Sequence, residues 1–140
     1  MKKRDKYEAF LKSVDILKQI EAYELSQICD ALKTKKAKAG ETIIKQGDLG
    51  DDFYIVEEGD AYAEKLFDGQ TTPQKVLEYS KGGYFGELAL LRNEPRAASV
   101  IAKTDCNLLC LERKAFKRLL GPIENILKRS SDAYVKFVNN

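Results

Sequence analysis

One carboxylate and one guanidinium stand nine positions apart in an otherwise small and apolar stretch, Phe85-Gly86-Glu87-Leu88-Ala89-Leu90-Leu91-Arg92-Asn93-Glu94-Pro95-Arg96-Ala97-Ala98-Ser99-Val100. Gly86 frees the backbone, and the apolar run after it can make one or two helical turns. Backbone amides at such a helix start, together with an arginine fork, make an anion site. Arg96 would be costly to bury unpaired among Ala97, Ala98 and Val100. A phosphate would satisfy it through bidentate, charge-assisted bonds. Glu87 would repel that phosphate unless it faced a hydroxyl on the same ligand. Other chemistries are less well supplied. The chain has no histidine, which removes Ser-His and Cys-His nucleophile pairs and histidine metal sites. Its three cysteines, Cys29, Cys106 and Cys110, lack C-x-x-C spacing and read as reduced thiols. Cys106 and Cys110 fall in one strand-like run, which holds their Cα atoms ~13 Å apart, beyond disulfide reach.

The elements that must position these groups follow from periodicity. Tyr7, Phe10, Leu11 and Val14 repeat with helical spacing, as do Leu25, Ile28, Cys29 and Leu32. The spacing predicts helices over residues 1–36, with Lys33, Lys35, Lys36 and Lys38 as a solvated helix end. Gly40 changes the rhythm. Short strands are predicted at Thr42–Ile44, Phe53–Val56, Ala61–Leu66, Lys75–Tyr79, Ala97–Ala102 and Cys106–Leu111, with an Asp68-Gly69 hairpin turn. Helical period returns at Phe116, Leu119 and Leu120, breaks at Gly121-Pro122, and resumes from Ile123 to Phe137. The 140 residues suit one domain. A composition 44% apolar and 33% charged reads as globular and soluble. A net charge of +2 gives no reason to expect nucleic acid. No apolar run reaches membrane-spanning length, and Met1-Lys2-Lys3-Arg4-Asp5 has no leader-like apolar region.

The Phe85–Val100 run closely resembles the phosphate-binding cassette of cyclic-nucleotide-binding domains, F-G-E-[LI]-A-L-x(n)-P-R-A-A-[ST]-V. A 3′,5′-cyclic nucleotide carries one singly charged phosphate and leaves the ribose 2′-OH open to Glu87. Gly47-Asp48-Leu49-Gly50-Asp51-Asp52-Phe53-Tyr54-Ile55-Val56-Glu57-Glu58-Gly59 resembles the family's second signature. The resemblance spans nearly the whole chain. It implies a mainly β fold with flanking α: an eight-stranded jelly-roll β-barrel over residues 40–111, cassette 85–98, N-terminal helices 1–36 and C-terminal helices 112–138.

The resemblance also implies roles. Arg96 would bind the phosphate and Glu87 the 2′-OH. Backbone amides of Gly86, Leu88, Ala89 and Ala97 would hold ligand oxygens, with Ala98 in the same ligand-facing run. Asp51 would support Arg96 without touching ligand. Tyr134 resembles an aromatic cap stacked on the base. Ala97 has no hydroxyl for a guanine amino group, and Ser99, two positions on, is a weaker candidate for that bond, so cAMP is expected over cGMP. The chain is most like the second cAMP-binding domain of regulatory subunits of cAMP-dependent protein kinase. That likeness implies a cytoplasmic, non-enzymatic module whose ligand is cAMP, whose partner is the catalytic subunit, and which needs no cofactor, metal, nucleic acid or membrane. A cGMP-binding domain of a cGMP-dependent kinase and a channel domain are the alternatives.

Overall fold

A computed structural model of the chain describes residues 3–14, 17–18, 20–86, 90 and 94–121. Two helices, α1 (Lys3–Leu11) and α2 (Ala22–Ala31), precede eight strands. These are β1 (Lys33–Ala37), β2 (Thr42–Ile44), β3 (Asp52–Glu58), β4 (Ala61–Lys65), β5 (Gln74–Tyr79), β6 (Tyr84–Phe85), β7 (Ser99–Ala102) and β8 (Cys106–Glu112). Helix α3 (Arg113–Leu119) follows. The strands form two four-stranded sheets, ordered β1-β8-β3-β6 and β2-β7-β4-β5, with antiparallel pairing throughout. This is the mainly β architecture with flanking helices that the sequence announces. Among the described residues no helix is long and apolar enough to cross a membrane.

The central strands of the first sheet, β3 and β8, are buried on both faces, and strand period 2 shows why. Phe53 and Ile55 of β3 and Leu109 and Leu111 of β8 share a core with Leu25, Ile28 and Phe116 of the helices. The intervening Tyr54, Val56, Leu108 and Cys110 point the other way, into a core with Ala61, Ala63 and Val100 of the second sheet. The uninterrupted apolar run Phe53–Val56 therefore marks a strand between two cores. Each fully buried large side chain contributes about 1.5–3 kcal/mol.

Strand ends shift by one or two residues, as where β7 begins at Ser99 rather than Ala97, and three features differ more from the sequence reading. The second helix stops at Ala31, where Leu32 turns extended at φ −68°, ψ 140°, and Lys33–Ala37 is a strand, not a helix end. It pairs with β8 from Lys33↔Cys110 to Ala37↔Cys106. Pairing overrides the helical preference of its lysines, and those charges suit an edge strand. Second, β6 is only two residues long, too short to leave a periodic signal. Third, Gly69 does adopt φ +82°, and the Gln70 N–H donates to the Phe67 carbonyl at 3.0 Å. The strands end at Lys65 and resume at Gln74, however, so this turn sits inside a longer loop. The predicted helix beyond Gly121 lies outside the described residues.

Candidate functional site

Arg96 is buried, with 6% of its surface exposed. Its backbone is fixed first. The Arg96 N–H donates to the Asp48 carbonyl at 2.7 Å, and the Gly47 N–H donates to the Arg96 carbonyl at 2.9 Å. The segment before β7 is thereby zipped to the turn after β2. The Gln46 N–H adds a bond to Ser99 Oγ at 2.9 Å, so this serine helps tie β7 to the end of β2.

The guanidinium then reaches between the ends of two paired strands. Arg96 Nη1 donates to the Gly86 carbonyl at 2.7 Å, and Nη2 donates to the Asp52 carbonyl at 2.9 Å. Asp52 opens β3 and Gly86 follows β6, strands held in register by Tyr54↔Phe85. Gly86 has φ +94°, and a Cβ there would come within 2.9 Å of the Asp52 carbonyl oxygen. Glycine is required on both counts. The two carbonyl bonds orient the fork without neutralising its charge.

A cavity of about 480 Å³ opens beside this arginine, lined by Ile43, Ile44, Gly50, Asp52, Tyr54 and Arg96 among others. Tyr54 stacks on Phe85 with centroids 5.2 Å apart. Burial, then the negative charge of Asp52, pushes its phenol up to about 12, while the Arg96 charge pulls it down. Tyr54 therefore stays a neutral phenol at physiological pH.

Asp51 lies on the rim. Its carboxylate accepts from Arg113 Nε at 3.3 Å and is mostly exposed. Arg113 Nη2 also donates to the Gly50 carbonyl at 2.7 Å, and the Arg113 N–H donates to the Asp51 carbonyl at 2.7 Å. The bonds to Arg96 described above come from backbone carbonyls rather than from this carboxylate. Ala98 is buried and Ala97 partly so. Glu87, Leu88, Ala89 and Tyr134 lie outside the described residues. Leu90 is buried at 1% exposure in one core with Phe116, Leu119 and Leu120, which anchors the cassette's centre to α3.

Sequence reasoning did not single out Asp52, whose part is played by its carbonyl, nor Arg113, which belongs to neither signature. Gly50 entered the sequence reading only as part of the second signature.

The chain matches the family model of the cyclic nucleotide-binding domain over residues 34–121. It belongs to that family. A cAMP-dependent protein kinase regulatory subunit of Emericella nidulans is 52% identical over 128 residues, 91% of this chain but 30% of that protein. The regulatory domain of Toxoplasma gondii PKA, solved with cAMP, superposes with a TM-score of 0.91 at 50% identity, covering 94% of this chain and 51% of that one. A PKAR CBD2 bound to Sp-2Cl-cAMPS superposes with a TM-score of 0.87 at 47% identity, covering 98% of this chain and 90% of that one.

Proposed function

We propose that this chain is the second cAMP-binding module of a cAMP-dependent protein kinase regulatory subunit. The observation that carries the reading is the buried Arg96 fork, aimed by the Gly86 and Asp52 carbonyls beside a cavity. Relatives solved with cAMP or its phosphorothioate analogue support the ligand. In this reading Arg96 grips the cyclic phosphate and Glu87 accepts from the ribose 2′-OH. Amides of Gly86, Leu88, Ala89 and Ala97 hold the remaining oxygens beside Ala98, Tyr134 stacks on the base, and Asp51 supports the arginine from the rim. Ala97 lacks the hydroxyl that would favour guanine.

The module binds and does not catalyse. Its partner is a catalytic subunit in the cytoplasm, and cAMP shifts the population of terminal-helix arrangements toward release of that subunit. Leu90 is the physical link, because it joins the cassette to the core that holds α3. Calorimetric titration of the purified chain with cAMP and with cGMP tests the proposal. Tighter binding of cAMP is expected. Absence of binding by either nucleotide overturns the proposal, and a clear cGMP preference moves the chain to a cGMP-regulated kinase.

A further inference from the structure

The glycines of this chain do two different jobs. Gly40, Gly47 and Gly69 have φ between +82° and +90°, with nothing within 4 Å of an added Cβ. They serve backbone conformation alone. Gly50 is the reverse. Its φ lies outside the left-handed region, yet a Cβ there would sit 2.1 Å from Arg96 Nε, 2.2 Å from Cζ and 2.5 Å from Nη2. No torsional reason keeps a side chain from position 50. The obstacle is the flat face of one guanidinium.

We infer that Gly50 is a positioning residue, whose bare Cα is the floor on which the Arg96 fork lies. This rests on the reading of Arg96 as the phosphate ligand. An arginine tip on the surface could swing away from a new methyl group at little cost. Arg96 cannot, because it is buried, its backbone is zipped to Gly47 and Asp48, and its two nitrogens are held by carbonyls of Gly86 and Asp52. Residue 50 is itself fixed from behind, since its carbonyl accepts from Arg113 Nη2 at 2.7 Å. A methyl group at position 50 therefore pushes the fork off its carbonyls. The group that must yield is the one assigned to the ligand, while both hydrophobic cores are left alone.

The test separates a steric effect on Arg96 from general damage. Gly50→Ala, Arg96→Ala and the double variant are compared in thermal unfolding without nucleotide. Gly50→Ala lowers the midpoint in the wild-type background. In the Arg96→Ala background it changes the midpoint by no more than about 1 °C, because the clashing group is gone. Should Gly50→Ala alone fail to fold, the double variant is expected to fold. Equal losses in the two backgrounds, or a double variant that stays unfolded, overturn the inference.

Titration with cAMP adds the functional arm. Gly50→Ala weakens binding by about tenfold or more in the wild-type background, and by less than about twofold when Arg96 is already lysine. If Gly50→Ala binds cAMP as wild type does while Arg96→Lys is impaired, the inference falls and the proposed function stands. If Arg96→Lys leaves binding unchanged, the functional reading falls, and the nucleotide-free comparison still decides whether Gly50 positions the arginine.

Discussion

Arg96 Nη1 and the Gly86 carbonyl oxygen, ten positions apart in sequence, meet at 2.7 Å. That bond closes the cassette on itself and holds the fork at the end of β6. A lysine can replace the charge but cannot span both carbonyls with a planar fork. Arg96→Lys is therefore expected to weaken cAMP binding by about 2–4 kcal/mol, or ~30- to 700-fold. Calorimetry measures this directly, and a change smaller than about threefold would remove Arg96 from the ligand site.

Arg113 and Asp51 form an ion pair in which the two partners are unequal. The carboxylate is 83% exposed, whereas the arginine is 29% exposed and also bonds the Gly50 carbonyl. Exposed ion pairs contribute little, about 0–1 kcal/mol. A charge-assisted bond to a backbone carbonyl contributes about 1.5–3 kcal/mol. Arg113→Ala is expected to destabilise the fold clearly more than Asp51→Ala in urea unfolding. Equal losses would place the stabilisation in the ion pair instead.

The pairing of Gly86 with Arg96 was legible because both fall within one short run, whereas Glu87 lies outside the described residues. The central strands of the first sheet, β3 and β8, were legible because a double-faced strand must be apolar throughout, as Phe53–Val56 is. Lys33–Ala37 was misread for the opposite reason. An edge strand with one buried residue, Ala37, carries no alternation to detect, and only its partner β8 makes it a strand. The Arg96 support was partly invisible because backbone atoms provide it. A carbonyl such as that of Asp52 leaves no trace in residue type. Gly50 could have been suspected from the signature, but the reason for glycine there is an atom 46 positions away.

Leu90 is 1% exposed and lies in the core that contains Phe116, Leu119 and Leu120. Truncating it leaves a cavity at the junction between cassette and α3. Leu90→Ala is expected to cost about 2–4 kcal/mol of stability, read as a lowered urea midpoint with an unchanged slope. The proposed function adds a second expectation. With the link between cassette and helix loosened, cAMP should protect α3 amides from hydrogen exchange less than it does in the wild-type chain. Undiminished protection would show that Leu90 stabilises the fold without transmitting the ligand's presence.

Burial, followed by the Asp52 charge, pushes the Cys110 thiol up to about 11 from its ordinary 9.0. Tyr54 is raised to about 12 from 10.0, again mainly by burial. Both groups are neutral when protonated, and folding favours that neutral form. Their contribution to stability is thus complete below about pH 9 and is lost as pH rises toward the folded values. Urea midpoints should be flat near neutrality and fall through alkaline pH. The wild-type curve alone does not identify the source. Cys110→Ala isolates it. The variant starts from a lower midpoint because a buried thiol is gone, but its decline between about pH 9 and 11 should be shallower than that of the wild type. Parallel declines would mean that the thiol ionises as readily in the folded chain as in the unfolded one. The tight packing of Cys110 between the sheets would then have no electrostatic consequence.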